Sequence, residues 1–310
     1  MTPAIRGLLW MNAANVLFAV MTITARLASR STHWSTIAAS RALIGALVAL
    51  TIGLMRGVSL RPRASKLSWA RSLLGTVSML TTFYAIGSPD LAVGDAVTLF
   101  ATSPLFIAAL SPWLLKERIE ASLWVVLIVA FFGAALVAGP HLSFGSIPAA
   151  SALIAALFSA LAMTFLRKLR TSSDGEPPDS PESIALHFGL VAFSVFLLIN
   201  LRSFRTPELI DCLFLVLAGL SGGVAQLAMT RAYALAQAAR LGAVTYIGTV
   251  VSLIGSFLVL GERPSLVQLI GSSLVIGAGA LLAWMSARHA AEPLVAVSVA
   301  TEPTPSTLVR

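Results

Sequence analysis

Residues 123–139 read LWVVLIVAFFGAALVAG, seventeen positions without one charged side chain. A helix of that length rises about 26 Å, close to the ~30 Å of hydrocarbon in a bilayer. A transmembrane β-strand needs only about ten residues and alternates apolar with polar positions, which this run does not. The segment is expected to be a membrane-crossing helix, and similar runs recur around it at 7–25, 34–54, 69–86, 93–115, 146–166, 183–201, 213–234, 241–260 and 267–285.

The composition agrees with that pattern. Of 310 residues, 57% are apolar and 11% charged, whereas soluble domains run near 45–50% and about 25%. The first run contains Asn12 and Asn15 and has no small-residue cleavage site after it, so it is expected to be a retained helix rather than a leader. Cys212 is the single cysteine, which excludes an internal disulfide and a cysteine-based metal cluster. No metal or other cofactor is expected.

A net charge of +8 is compatible with nucleic-acid binding, but the Lys and Arg residues lie in short loops with no basic helix or aromatic-basic array. Their distribution instead orients the chain. With the N-terminus in the cytoplasm, fifteen of the 21 cations fall in inside segments, and six (Arg26, Arg30, Arg41, Arg202, Arg205, Arg263) fall outside. The positive-inside rule then puts both termini in the cytoplasm of a cell whose inner, or plasma, membrane the chain crosses. The polar stretch 167–182 reads as a loop at the midpoint, and 287–310 as a disordered cytoplasmic tail.

The chain also repeats itself. Tyr84-Ala85 is followed 33 residues later by Glu117-Arg118, and Tyr233-Ala234 is followed 29 residues later by Glu262-Arg263. After each Glu-Arg pair comes a last span rich in small residues, with Gly133-Ala134-Ala135-Leu136 in one and Gly277-Ala278-Gly279-Ala280-Leu281 in the other. Two copies of five helices follow, 5–140 and 146–286. Five is odd, so the second copy enters the membrane from the opposite face, and Glu117 and Glu262 end on opposite sides. The fold class is therefore an all-α integral membrane protein, ten transmembrane helices in two inverted five-helix repeats. Inverted repeats let two halves exchange conformations around a central site, the arrangement of a secondary transporter.

Tyr84-Ala85 ahead of the fourth helix, Pro104 within it, Lys116-Glu117 at its end, and Tyr233-Ala234 with Gly261-Glu262 in the second copy together resemble the drug/metabolite transporter superfamily. The resemblance is to its EamA-type members and covers about residues 5–286. It implies a carrier of small metabolites and leaves the cargo open. Some relatives form homodimers, although no residue here signals one. One departure is visible: Thr249 stands where the first copy has Pro104, so the ninth helix is expected to lack the kink of the fourth.

Polar groups inside hydrocarbon are costly unless they face a cavity or another helix, so polar stripes within spans mark candidate cargo contacts. Asn12, Asn15 and Thr22 share a face of the first helix, with interhelical hydrogen bonding as the competing reading. Thr98 and Thr102 lead down to Pro104, whose missing N–H bends the fourth helix. Asp95, at the start of that helix, either caps it or couples transport to an ion. Gln226 and Thr230 lie on one face of the eighth helix. Thr245, Thr249, Ser252 and Ser256 line the ninth beside Tyr246, where small hydroxyl residues also suit close packing. Arg41, seven residues into the second span, either snorkels outward or clamps a carboxylate or phosphate.

His187 is the lone histidine within a span and a candidate for proton handling, against the reading of a satisfied interface histidine. Glu117 and Glu262 sit beside Arg118 and Arg263 and are assigned to gating or ion pairing. No acidic residue falls at mid-membrane, which disfavours symport through a carboxylate. The uncharged lining suits a neutral or zwitterionic, amino-acid-like cargo. No paired carboxylates, metal cluster or activated nucleophile suggests an enzyme, and no phosphate-binding Gly-x-x-x-x-Gly-Lys motif suggests an ATPase. A channel or receptor remains the competing class. The expected partners are a small molecule and the lipid bilayer.

Overall fold

The computed structural model describes residues 2–29, 31–87, 91, 98–138, 146–171, 178–201, 206–260 and 263–291. Asp95, Glu262 and residues 292–310 lie outside that set. The described residues form α1 (Pro3–Ala28), α2 (Trp34–Met55), α3 (Ser65–Gly87), α4 (Ser103–Leu114), α5 (Ala121–Ala138), α6 (Ile147–Arg170), α7 (Pro181–Asn200), α8 (Leu209–Leu235), α9 (Ala238–Thr245), α10 (Ile247–Leu260) and α11 (Leu266–Ala291). Eight stretches are long and apolar enough to cross a membrane, with Ala238–Val259 counted as one, and Thr98–Leu114 is a shorter apolar helix. The helix α3 is long enough, but Lys66, Arg71 and its many Ser and Thr residues make it less apolar. The chain is a multi-pass membrane protein.

Local sequence sets where helices begin. Thr2, Ser146 and Ser180 cap α1, α6 and α7 by accepting from the N–H groups of Ile5, Ala149 and Ser183, each with a proline in the first turn. The cap supplies an acceptor to an orphan N–H, and proline has no N–H there to lose. At the other end of α4, Lys116 takes φ 57°. This left-handed residue turns the chain out of the helix and brings Glu117 back beneath the bundle, at roughly 1 kcal/mol of backbone strain. The last helix continues to Ala291, five residues past the end expected for the second repeat.

Packing obeys an exchange rule. The helix α1 packs on α8 as α3 packs on α6, α2 packs on α8 as α3 packs on α7, and α1 packs on α10 as α4 packs on α6. The pairs α2–α7, α5–α11 and α4–α9 join equivalent helices. Swapping residues before 140 for those after 146 maps this set of neighbours onto itself, which is what two related halves around a two-fold axis produce.

The interfaces are built from small residues. Gly45 and Gly223 approach backbone to backbone between α2 and α8. An added Cβ on Gly133 would lie 2.8 Å from the Gly271 carbonyl, and one on Gly271 would lie 2.6 Å from the Gly133 carbonyl. Lipid tails are as apolar as leucine, so association in a bilayer depends on this close approach rather than on burying greasy surface from water. Large apolar side chains such as Leu9, Val16, Phe132, Leu198 and Ile276 point outward instead.

Candidate functional site

One helix in each half is interrupted, and the two breaks face each other. In the first half the chain turns at 101–102 before Pro104 enters α4, and Leu105 donates to Thr102. That leaves the Ala101 carbonyl outside the helical ladder. In the second half α9 ends at Thr245 and α10 starts at Ile247, with Tyr246 at the joint. The Tyr246 hydroxyl donates to the Ala101 carbonyl at 2.8 Å, joining the two breaks.

The break in the ninth helix is a departure from expectation, since no proline stands there. Asn15 explains how the backbone tolerates it: its side-chain Nδ2 donates to the Val244 carbonyl at 2.8 Å. That carbonyl also accepts from the Tyr246 N–H, and since under-satisfied polar groups are costly at membrane depth, the asparagine from α1 adds a second partner where the regular ladder is interrupted.

Beside these breaks lies a cavity of about 490 Å³ walled by α1–α4, α6–α10 and the residues between them. That volume suits a small metabolite. Arg41, Pro104, Gln226, Tyr246 and Thr249, all singled out from the sequence, line it, together with Thr22, Thr245 and Tyr233. The Gln226 amide nitrogen is buried without a hydrogen-bond partner among the described residues. Five methionines (Met11, Met21, Met79, Met163 and Met229) supply much of the apolar wall. Their unbranched, polarizable chains let such a wall adapt its shape.

Other expected residues stand apart from the cavity. Asn12 donates to the Leu8 carbonyl of its own helix, and Thr230 and Thr102 turn back to Gln226 and Leu99. Thr98 is buried with its hydroxyl unpartnered, but does not line the cavity. His187 sits between α7 and α3, hydrogen-bonded through Nδ1 to the Ser72 hydroxyl at 2.8 Å and edge-on to Trp69.

One lining residue escaped the sequence reading. Arg71, 1% exposed, falls only two residues inside the third span expected at 69–86 and so counts with the cytoplasmic cations in the charge reading. The helix starts at Ser65, so Arg71 lies about 9 Å along it. The clue was present in the run of hydroxyl residues before and after it, which a loop does not need.

The end of the bundle that carries the N-terminus is tied by ion pairs. Glu117 accepts from Arg167 Nε at 2.8 Å and from the Ala238 N–H at 3.1 Å, and Arg167 also donates to the Tyr233 carbonyl at 2.7 Å. Fully buried Glu182 accepts from Arg56 at 2.8 Å and Arg231 at 3.0 Å. Arg240 reaches Glu120 at 3.1 Å. These contacts join the ends of α2, α4, α6, α7, α8 and α9 below the cavity. Beneath them a vestibule of about 600 Å³ is lined by Arg6, Arg56, Arg170, Glu182 and Arg231.

A profile of the EamA-like transporter family matches the sequence twice, over residues 5–139 and 146–284. The chain belongs to that family. This EamA-type member of the drug/metabolite transporter superfamily is similar to a riboflavin transporter of Vibrio cholerae, 25% identical over 84% of this chain and 87% of the relative. It is also similar to a pseudopaline exporter of Pseudomonas aeruginosa, 28% identical over 83% and 89%. A third relative is an S-adenosylmethionine uptake transporter of Rickettsia prowazekii, 23% identical over 59% and 60%. A solved crystal structure shares the fold seen here with a TM-score of 0.73 at 19% identity, covering 91% of this chain and 98% of its own. The family is one of transporters, and these three relatives are named as transporters of small molecules.

Proposed function

We propose that this protein is a secondary transporter that carries a small polar metabolite across the inner, or plasma, membrane by alternating access. Ten crossings follow when α3 and the Thr98–Leu114 helix join the eight long apolar spans. Both termini face the cytoplasm, and the ion-paired end is then the cytoplasmic end. The observation that carries this reading is the cavity placed where two broken helices, one from each half, meet through Tyr246 and Ala101. Irregular backbone within a membrane is tolerated where it lines a cavity or is buried in protein, and in carriers with repeats such breaks hold the cargo. The matched neighbour set of the two halves supports the exchange of conformations that alternating access requires.

Counterflow in liposomes tests the proposal. A lumen loaded with one unlabelled relative's cargo, riboflavin or S-adenosylmethionine, or with a metabolite extract, should drive transient accumulation of labelled cargo above its equilibrium level. Flux that never overshoots, or that rises linearly with concentration, would identify a channel.

A further inference from the structure

We infer that the cavity binds an anionic group of the cargo, a carboxylate or a phosphate, between Arg41 and Arg71. The inference rests on the reading of this cavity as the cargo site and narrows the cargo to one charge class. Arg71 is all but completely buried, lines the cavity, and its Nε and Nη1 have no hydrogen-bond partner among the described residues. Its guanidinium lies over the face of Phe188, 4.0 Å from the ring centre. Arg41 lines the same cavity and donates to the sulfurs of Met21 and Met79, which are weak acceptors for a cation.

A guanidinium presents five N–H donors and does not give up its charge, so an apolar wall of methionine and phenylalanine leaves most of its capacity unused. A structural arginine at this depth is ordinarily paired, and the chain pairs arginines with Glu117 and Glu182 nearer the end of the bundle. Among the described lining residues none is Asp or Glu. Two cations sharing one chamber also repel each other, an arrangement that becomes favourable once an anion sits between them. The forked donors of arginine match the paired oxygens of carboxylate and phosphate. Gln226, whose buried amide nitrogen is also unpartnered, adds a neutral donor to the same chamber. The vestibule beneath it carries four arginines against one glutamate, a field that gathers anions from the cytoplasmic side. The neutral or zwitterionic cargo expected from the sequence rests on an uncharged lining, from which Arg71 is missing.

The full chain, purified in an uncharged detergent, is titrated with inorganic phosphate and with succinate at constant ionic strength. Glycerol and succinamide serve as uncharged counterparts, and the thermal midpoint is the readout. Saturable stabilisation by phosphate or succinate alone is expected, and which of them acts assigns the phosphate or the carboxylate class. Its apparent Kd should weaken at least tenfold in Arg41→Gln and Arg71→Gln and stay unchanged in Lys168→Gln, whose side chain is exposed. Should a glutamine variant not fold, Arg71→Lys keeps the charge without the fork and should weaken binding at least threefold. No saturable stabilisation by either anion, or equal stabilisation in all variants, overturns the inference. Failure of the transport reading looks different: the anion still binds saturably, but no counterflow occurs. Counterflow of a neutral cargo that ignores both substitutions instead removes the anion site and leaves the carrier.

Discussion

Replacing Glu117 by Gln tests whether the ion-paired end is a latch. The side chain keeps its shape and one carbonyl oxygen, so the Ala238 N–H can stay satisfied, but the charge opposite Arg167 is gone. Both partners are mostly buried, with side chains 15% and 13% exposed. A hydrogen bond to a charged group is worth about 1.5–3 kcal/mol, and stranding one member of a buried pair costs about 3–5 kcal/mol. Arg167 retains its bond to the Tyr233 carbonyl, so an intermediate loss of about 2 kcal/mol is expected for the closed ion-paired end, or roughly 30-fold in its equilibrium against an open one. The assay is cysteine labelling. In a Cys212→Ser background, Ser159→Cys places a thiol in the cavity wall, and an impermeant maleimide is added on the side of the N-terminus. Glu117→Gln should raise the labelling rate at least tenfold. An unchanged rate, in protein whose thermal midpoint has nonetheless fallen, would show that the pair holds the bundle together without gating it.

Other substitutions probe separate links in the argument. Gly133→Leu or Gly271→Leu should push α5 and α11 apart and lower the thermal midpoint, by about 1–3 kcal/mol on the scale of overpacked cores, while conservative changes at the open position Gly277 should not. Asn15→Ala should remove the acceptor's partner at Val244 and destabilise the protein by about 1–3 kcal/mol, with hydrogen exchange at the α9–α10 joint rising more than elsewhere. Lys116→Gly should stabilise by up to about 1 kcal/mol, because glycine adopts φ 57° without the clash that a Cβ brings. Tyr246→Phe should reduce counterflow at unchanged membrane levels, and full activity would deny the link between the two breaks a role.

Much of the architecture was legible because bilayer thickness sets the run length a span needs, although eight described stretches are long and apolar enough where ten were expected. The two Tyr-Ala and Glu-Arg signatures located the halves, and the neighbour pairs α1–α8 and α3–α6 follow that division. The ends were harder: the ninth span, expected at 241–260, starts at Ala238 and is broken at Tyr246. No proline announced that break, because its stabilising group is an asparagine more than 200 residues earlier. Polar stripes led to the cavity unevenly. Gln226, Tyr246 and Thr249 face it, but Thr102 and Thr230 satisfy their hydroxyls on carbonyls of their own turn, a local bond that helical spacing alone does not distinguish from a cargo contact. Arg71 was missed since charge at a span's edge reads as loop, and only the cap-to-cap length of α3 shows how far in it lies.

The helix α3 also bears on how the protein is made. An arginine at the centre of a span opposes insertion by about 2.5–3.5 kcal/mol, and less toward the ends, while the hydroxyl groups of Ser68, Ser72, Thr76 and Ser78 add little to hydrophobicity. Its principal neighbours, α6 and α7, are translated only later. While the ribosome is still working through residues before 140, this segment has neither the greasiness to partition alone nor the companions that accept it. A chain stopped at residue 140 should therefore leave α3 poorly integrated, as glycosylation of an engineered acceptor placed just after Gly87, the end of α3 that is translocated only if the helix crosses, can read, and lengthening the chain through Asn200 should restore it. Biogenesis would then run against the order of the genetic message, with an early segment waiting on a late one.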